Sequence, residues 1–429
     1  MIFALITMGF CFICILFSLI NRRYTGVIYN LIWLFGMQYV AQNTSYFSEK
    51  TFIILAIAII GFNVGYFTPQ VKKIRFTLTI KRKSSNNRGT NVILNRKLLD
   101  NLLLITTSIL LFYSIRTIVS FGFDFNAIRN GNSSAGENTV YSSVVDTVLY
   151  YGIAGAGSYI FPCVAIYCHI KRIKLKVYEW IMIALIVMLS VVSSGGRMHL
   201  VRIAIYVMAS MIWITYRNSK IKKISFKTAF TFGAVVMVLL SIITVSRNSA
   251  DGTTFISQAF DYLFGSLAHM EYQIRSFERE GIYFGLITYG GFLYYPIKVL
   301  NLFLTTPLKT SAEMLVYLQK QVFLNISGST MYYNALVPNA FYYYYDSGLV
   351  GCFLFSMVLG AACKIYERAE NESFFRFYMF ATTFYAVTFS MLGGIMWTFA
   401  VPVTIIFASM LGDKIFVSLS EYGQGDVVT

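Results

Sequence analysis

Apolar residues along this chain fall in long runs, and the polar stretches between them hold most of its charge. A helix needs about 20 apolar residues to cross a hydrocarbon layer roughly 30 Å thick. Windows of that kind predict helices near 2–20, 25–41, 51–67, 99–119, 146–170, 178–194, 198–216, 228–245, 347–365, 374–391 and 394–413. That makes about eleven spans, give or take one. The first, "MIFALITMGFCFICILFSLI", has no basic n-region and no small-residue cleavage site ahead of Asn21, so it reads as a retained span rather than a leader.

Charge then orients the spans. One set of connecting segments carries Arg22 and Arg23, the run from Lys72 to Lys97, "KRIKLK" at 171–176, "RNSKIKKISFK" at 217–227, and Lys364 with Arg368, whereas the opposite set is near balance. Basic loops stay on the cytoplasmic side. The N-terminus is therefore expected outside and the C-terminus in the cytoplasm. The net charge of +16 belongs mainly to the cytoplasmic face, where anionic lipid attracts it. The basic run at 71–97 accordingly reads as a juxtamembrane loop, and no nucleic acid is expected as a partner.

Composition agrees: 57% of residues are hydrophobic and 13% charged, against about 25% charged in soluble domains. Mean hydropathy is +0.63. The expected fold class is an all-α polytopic membrane protein, one integral domain over 1–429, with a large outer loop at 246–346 that contains amphipathic helices. All six cysteines fall inside or at the ends of apolar runs, which argues against a disulfide framework and a zinc site.

Loops much longer than about 15 residues are usually functional. Within 246–346, Phe260, Leu263, Phe264, Leu267, Met270, Ile274 and Phe277 recur at helical spacing and form one apolar stripe. Glu271 and Glu278 project inside the stripe and Arg275 at its edge, while Asp261, His269, Gln273, Ser276 and Glu280 project onto the opposite, solvated face. Two readings of Glu271 stand side by side. It is the i, i+4 partner that neutralises Arg275, or it faces a low-dielectric cavity as a general base with Arg275 beside it. Further on, "TSAE" has capping-box spacing from Thr310 to Glu313 and predicts a second helix over "MLVYLQKQVFL". The tyrosines that follow, among them Tyr332, Tyr333, Tyr343 and Tyr344, serve as an interfacial belt or as faces that stack on sugar rings.

The junction "VVSSGGRMHLVR" (191–202) sits between two spans on the outer side. Gly195 and Gly196 permit close backbone approach, and the free N–H groups of a helix start suit phosphate. Arg197 and Arg202 lie about 140° apart around that helix, so one would bind an anion while the other braces, unless both only snorkel to the interface. Arg116, Arg129, Arg247, Arg275 and Arg279 also fall at or near the outer boundary. Arginine's planar fork suits phosphate oxygens, and a diphosphate lipid is the expected ligand of such a set. No DxD, HExxH, P-loop or supported Ser-His-Asp pattern occurs, so metal-free chemistry without a cofactor is expected.

The Gly-Gly-Arg junction, the arginine directly after a later span, the long outer loop and the closing "YNALVPNAFYYYYDSGLVGCFLFSMVLG" resemble the bacterial oligosaccharide repeat-unit polymerases, the O-antigen polymerase family. Asp346, Gly348 and Gly351 stand where that family has an aspartate followed by a glycine-rich entry into the next span. The likeness covers the whole chain in topology and specific motifs at about 191–202, 246–280 and 329–360. It implies a C-type glycosyltransferase-like fold in the bacterial inner membrane, with the N-terminus and the long outer loop in the periplasm. It also implies transfer of a growing polysaccharide from its undecaprenyl diphosphate carrier to a new lipid-linked repeat unit, with membrane lipids and a chain-length regulator protein as partners. Carried onto this chain, Arg197, Glu271 and Arg275 would be catalytic. Arg129, Arg202, Arg247 and Arg279 would hold diphosphate, and Tyr332, Tyr333, Tyr343, Tyr344 and Asp346 would hold sugar. A flippase for lipid-linked sugars and a ligase using His269 are the competing expectations.

Overall fold

A computed structural model describes residues 2–68, 92–124, 127–128, 144–196, 198–215, 255–276, 283–301, 303–306, 308–310, 318, 322–326, 329–333, 337–367, 373–393 and 400–418. Within them the chain is mostly helical. The first helices are α1 (Ile2–Ile20), α2 (Tyr24–Gln42) and α3 (Glu49–Phe67), followed by the short strand β1 (Val92–Leu94) and α4 (Arg96–Phe121). A helical turn, Val144–Asp146, then runs into a π-helix, Thr147–Ala154, which continues as α5 (Gly155–Lys171). Next come α6 (Val177–Ser194), α7 (Met198–Thr215), α8 (Phe255–Ser276) and α9 (Gly290–Leu300). After these are β2 (Val322–Ile326), β3 (Ser329–Tyr333), α10 (Asn339–Glu367), α11 (Phe374–Thr388), α12 (Ala400–Ile415) and β4 (Phe416–Ser418).

Seven helices among the described residues are long and apolar enough to cross a membrane: α1, α3, α4, the helix through Val148–Lys171, α6, α7 and α10. The chain is a multi-pass membrane protein. The window at 228–245 lies outside the described residues. The one at 394–413 is helical from Ala400 onward.

Local chemistry sets the helix ends. Ser48 caps α3 by accepting the Thr51 N–H, and Ser373 caps α11 by accepting the Arg376 N–H. Lipid drives little association between helices that are all apolar, so close approach and polar contacts hold them together. The α3–α10 seam illustrates this. A Cβ at Gly65 would stand 2.0 Å from the Met357 carbonyl oxygen, and one at Gly360 would stand 2.1 Å from that of Phe62. The backbones therefore touch where only glycine fits. Between α2 and α3, Asn30 and Asn63 exchange amide hydrogen bonds of 2.9 Å in both directions.

The packing forms two main cores. One gathers α4 to α7, α11 and α12 around Tyr167, Trp213, Phe377 and Phe380; the other gathers α1 to α3, α8, β2, β3 and the start of α10 around Trp33, Phe62, Leu267 and Phe341. Contacts between antiparallel helices sort the ends of the bundle. Tyr206 meets Tyr385 while Trp213 meets Phe377, so the start of α7 and the end of α11 share one end. Asn339 N–H donates to the Ser390 carbonyl and Ser266 Oγ donates to that of Met391, which brings the start of α10 and α8 to that same end. At the opposite end, Arg23 donates to the Tyr66 carbonyl, Lys364 to that of Thr68, and Arg96 to that of Lys174.

Two local expectations need correction. The second loop helix does not extend through 322–324, because Val322–Ile326 is a strand paired antiparallel with Ser329–Tyr333. Burial alternates along it, with Val322, Leu324 and Ile326 inward, and that period-2 pattern overrides the helical reading. Helix α8 has no single solvated polar face: His269 and Gln273 are buried, whereas Tyr272, Arg275 and Ser276 are exposed. It is packed between α2, α3 and β2, so more than one side is covered. The span expected from 347 begins at a break at Ser347 and Gly348, where Gly348 takes φ +66°, and a helical segment from Asn339 precedes it. Cys352 Sγ reaches the Ala340 carbonyl at 3.4 Å across twelve residues, which a straight helix would hold about 18 Å apart. The chain turns back on itself there.

Candidate functional site

The end of the bundle that holds the start of α7 also holds most of the described candidate residues, in separate settings. Arg202 projects from α7 into the first core and is 5% exposed. Its guanidinium carbon lies 3.2 Å from the centre of the Tyr159 ring and 5.6 Å from that of Tyr385. Nε and Nη1 are buried without a hydrogen-bond partner, and no ion pair joins Arg202 among the described residues. Stacking on two rings offsets about 2 kcal/mol. Burying an uncompensated cation costs several kcal/mol, and each orphaned donor adds about 1–3 kcal/mol. The deficit is what an anion would remove. One turn earlier, His199 Nδ1 is also buried without a partner.

The two glycine N–H groups before α7 are both taken up. Gly195 takes φ +59° and ends α6, its N–H donating to the Val192 carbonyl, while Gly196 N–H donates to Ser194 Oγ at 3.0 Å. Glycine is needed there for the left-handed turn. Arg197 lies outside the described residues, as do Arg129, Arg247 and Arg279.

Glu271 is fully buried, but it is engaged. Ser48 donates to Oε2 twice, from its N–H and its hydroxyl, each at 3.0 Å, and Arg275 Nε donates to Oε1 at 2.5 Å. Arg275 also donates to the Tyr46 carbonyl, and Tyr46 OH donates to the Ala268 carbonyl. Burial, and after it the Glu271 carboxylate, push the Tyr46 phenol up to about 12, which keeps it a donor. The node thus fastens the α2–α3 turn to α8. Of the two readings of Glu271, this geometry favours pairing over proton transfer.

Asp346 is likewise buried and engaged, with Oδ1 accepting from Gly285 N–H at 2.9 Å and Oδ2 from Thr288 N–H at 3.0 Å. Its own carbonyl accepts from Tyr283 N–H at 2.7 Å. It is a latch between the break in α10 and the 283–289 turn. Burial, and then this carboxylate, push the Tyr289 phenol up to about 12.

The described tyrosines of this region each meet a neighbouring side chain. Tyr343 is buried against Phe355, Tyr345 stacks on Tyr283, and Lys50 stands over the Tyr344 ring. Tyr333 is buried edge-on to His269, 5.5 Å away. Tyr332 pairs with Phe323 in the hairpin.

The sequence pattern did not bring forward Asp146. It is buried at the start of the π-helix and accepts from Tyr113 OH at 2.6 Å and from Arg116 Nη1 at 3.1 Å, both on Oδ1. Tyr150 on the π-helix donates to Ser193 Oγ at 3.1 Å, linking this cluster to the end of α6. A lone carboxylate opening an apolar run was the available signal, and π-helices gather at functional sites. Nothing local marked Tyr159 or Tyr385.

No protein-family model matches the sequence, and no curated protein or solved structure is similar to it.

Proposed function

We propose that this chain is a metal-independent glycosyltransferase of the bacterial inner membrane that polymerises oligosaccharide units carried on a polyprenyl diphosphate lipid, working at the periplasmic face. In this reading α2, α11, α12 and the 228–245 window also cross the bilayer, giving about eleven spans. The observation that carries it is Arg202, a buried cation with two orphaned donors at the end of the bundle away from the basic loops. A diphosphate supplies the charge and the acceptor oxygens that it lacks.

In the reaction, the acceptor hydroxyl oxygen bonds to the anomeric carbon of the donor while the bond from that carbon to the diphosphate oxygen breaks. The electron pair leaves with the diphosphate, and the hydroxyl proton passes to a base. A cation already in place where this negative charge develops is worth several kcal/mol. Glu271 would have to release Ser48 before accepting a proton.

Radiolabelled lipid-linked repeat units given to purified protein in detergent test the reading. Longer chains are expected from the native protein and not from Arg202→Gln. A transporter is the second reading, favoured by the break in α10, since interrupted helices line the sites of many transporters. It predicts no product without a bilayer.

A further inference from the structure

A cavity of about 100 Å³ lies between the second half of α10 and α11, beneath the 283–289 turn. Val358, Ala362, Thr383 and Ala386 contribute to its walls, and Thr288 and Asn339 also line it. Its lining is largely apolar, yet Thr288 and Asn339 are each 5% exposed, and Thr288 Oγ1 and Asn339 Oδ1 are buried without a hydrogen-bond partner among the described residues. Orphaned buried polar atoms are costly, so two of them on residues that line one cavity are a recognition feature rather than packing. Val358 is 52% exposed whereas Thr288, Asn339, Thr383 and Ala386 are buried. The cavity therefore has a polar inner end and an outer lip on the apolar face of a membrane-spanning helix.

We propose that this cavity binds the hydroxyl head of a neutral single-chain lipid, a long-chain alcohol in chemical class, whose tail leaves past Val358 into the bilayer. A hydroxyl fits both orphaned atoms at once, donating to Asn339 Oδ1 and accepting from Thr288 Oγ1. A charged head is disfavoured, because none of the residues lining the cavity carries a charge to pair with it. The volume has room for roughly three water-sized groups, enough for the hydroxyl and the first carbons. This site is separate from Arg202 and does not depend on the glycosyltransferase reading.

The test uses the full chain in vesicles of phosphatidylethanolamine and phosphatidylglycerol, with hexadecanol carrying a mid-chain diazirine as the probe and the matching diazirine hexadecane as control. Peptide mapping after illumination is expected to place saturable labelling on 358–362 and 379–386, at least fivefold above the hydrocarbon control and displaced by unlabelled hexadecanol. Thr288→Val, which keeps the shape and the backbone N–H given to Asp346, should cut it at least threefold. Ala362→Leu should abolish it while gel filtration stays unchanged. Should Ala362→Leu fail to fold, the Thr288→Val variant and the competition still decide. Equal labelling by both probes, or unsaturable labelling matching that of the exposed Phe12 and Leu16 face of α1, would overturn the proposal.

Discussion

Glu271 and Arg202 are both charged, both buried and both at the same end of the bundle, yet their surroundings are opposite. Glu271 has both oxygens engaged by Ser48 and Arg275, and its ion pair reaches the surface because the Arg275 side chain is 55% exposed. Arg202 has tyrosine rings on its faces and two donors with nothing to bond. Burial alone therefore says little about role. A buried charge whose bonds are complete stabilises the fold, while one whose bonds are incomplete costs stability until something completes them. Asp346 belongs with Glu271 on this scale, its oxygens taken up by two backbone N–H groups.

The contrast can be broken by substitution, and the effects fall in a definite order. Arg202→Gln is expected to reduce polymer formation at least a hundredfold in the detergent assay, equivalent to about 3 kcal/mol of lost transition-state stabilisation. Arg202→Lys should recover little, since a point charge replaces a fork. Next, Asp346→Ala orphans the Gly285 and Thr288 N–H groups and should destabilise the protein by about 3 kcal/mol, read as a lower melting temperature. Glu271→Gln should cost about 2 kcal/mol by weakening the Ser48 and Arg275 bonds, and with pairing as its role it should leave residual activity in proportion to folded protein. Loss of activity with folded protein retained would return Glu271 to the role of base. The smallest effect belongs to Ser48→Ala, about 1 kcal/mol for the lost cap of α3 and the hydroxyl bond to Glu271.

Much of the architecture was legible because membrane spans are written in length and charge, and those signals are local. Helices α1 to α4, α6 and α7 begin and end close to the windows read from the apolar runs. The errors arose where tertiary packing overrides a local period. His269 and Gln273 read as solvated because a single stripe implies a single buried face, but neighbours cover α8 on more than one side. Residues 322–324 read as helix because a capping signal precedes them, while pairing with β3 sets their conformation. An arginine near the outer boundary was visible in the sequence. Its surroundings were not, because Tyr159 and Tyr385 meet it only after α5 and α11 pack. The resemblance made Asp346 a sugar-binding carboxylate, whereas its two backbone donors lie in a turn far away in the chain and were not legible.

The most direct measurement is the melting temperature of the purified protein with and without farnesyl diphosphate, for the native chain, Arg202→Met and Glu271→Gln. A ligand present at about 100 times its dissociation constant stabilises by about 2.7 kcal/mol, a rise of several degrees. The native chain and Glu271→Gln should show that rise and Arg202→Met should not. Without ligand, Arg202→Met should melt no lower than the native protein, because it removes an uncompensated charge. An equal ligand-induced rise in Arg202→Met, or a ligand-free melting temperature well below the native value, would contradict the account of Arg202 as a cation awaiting its anion.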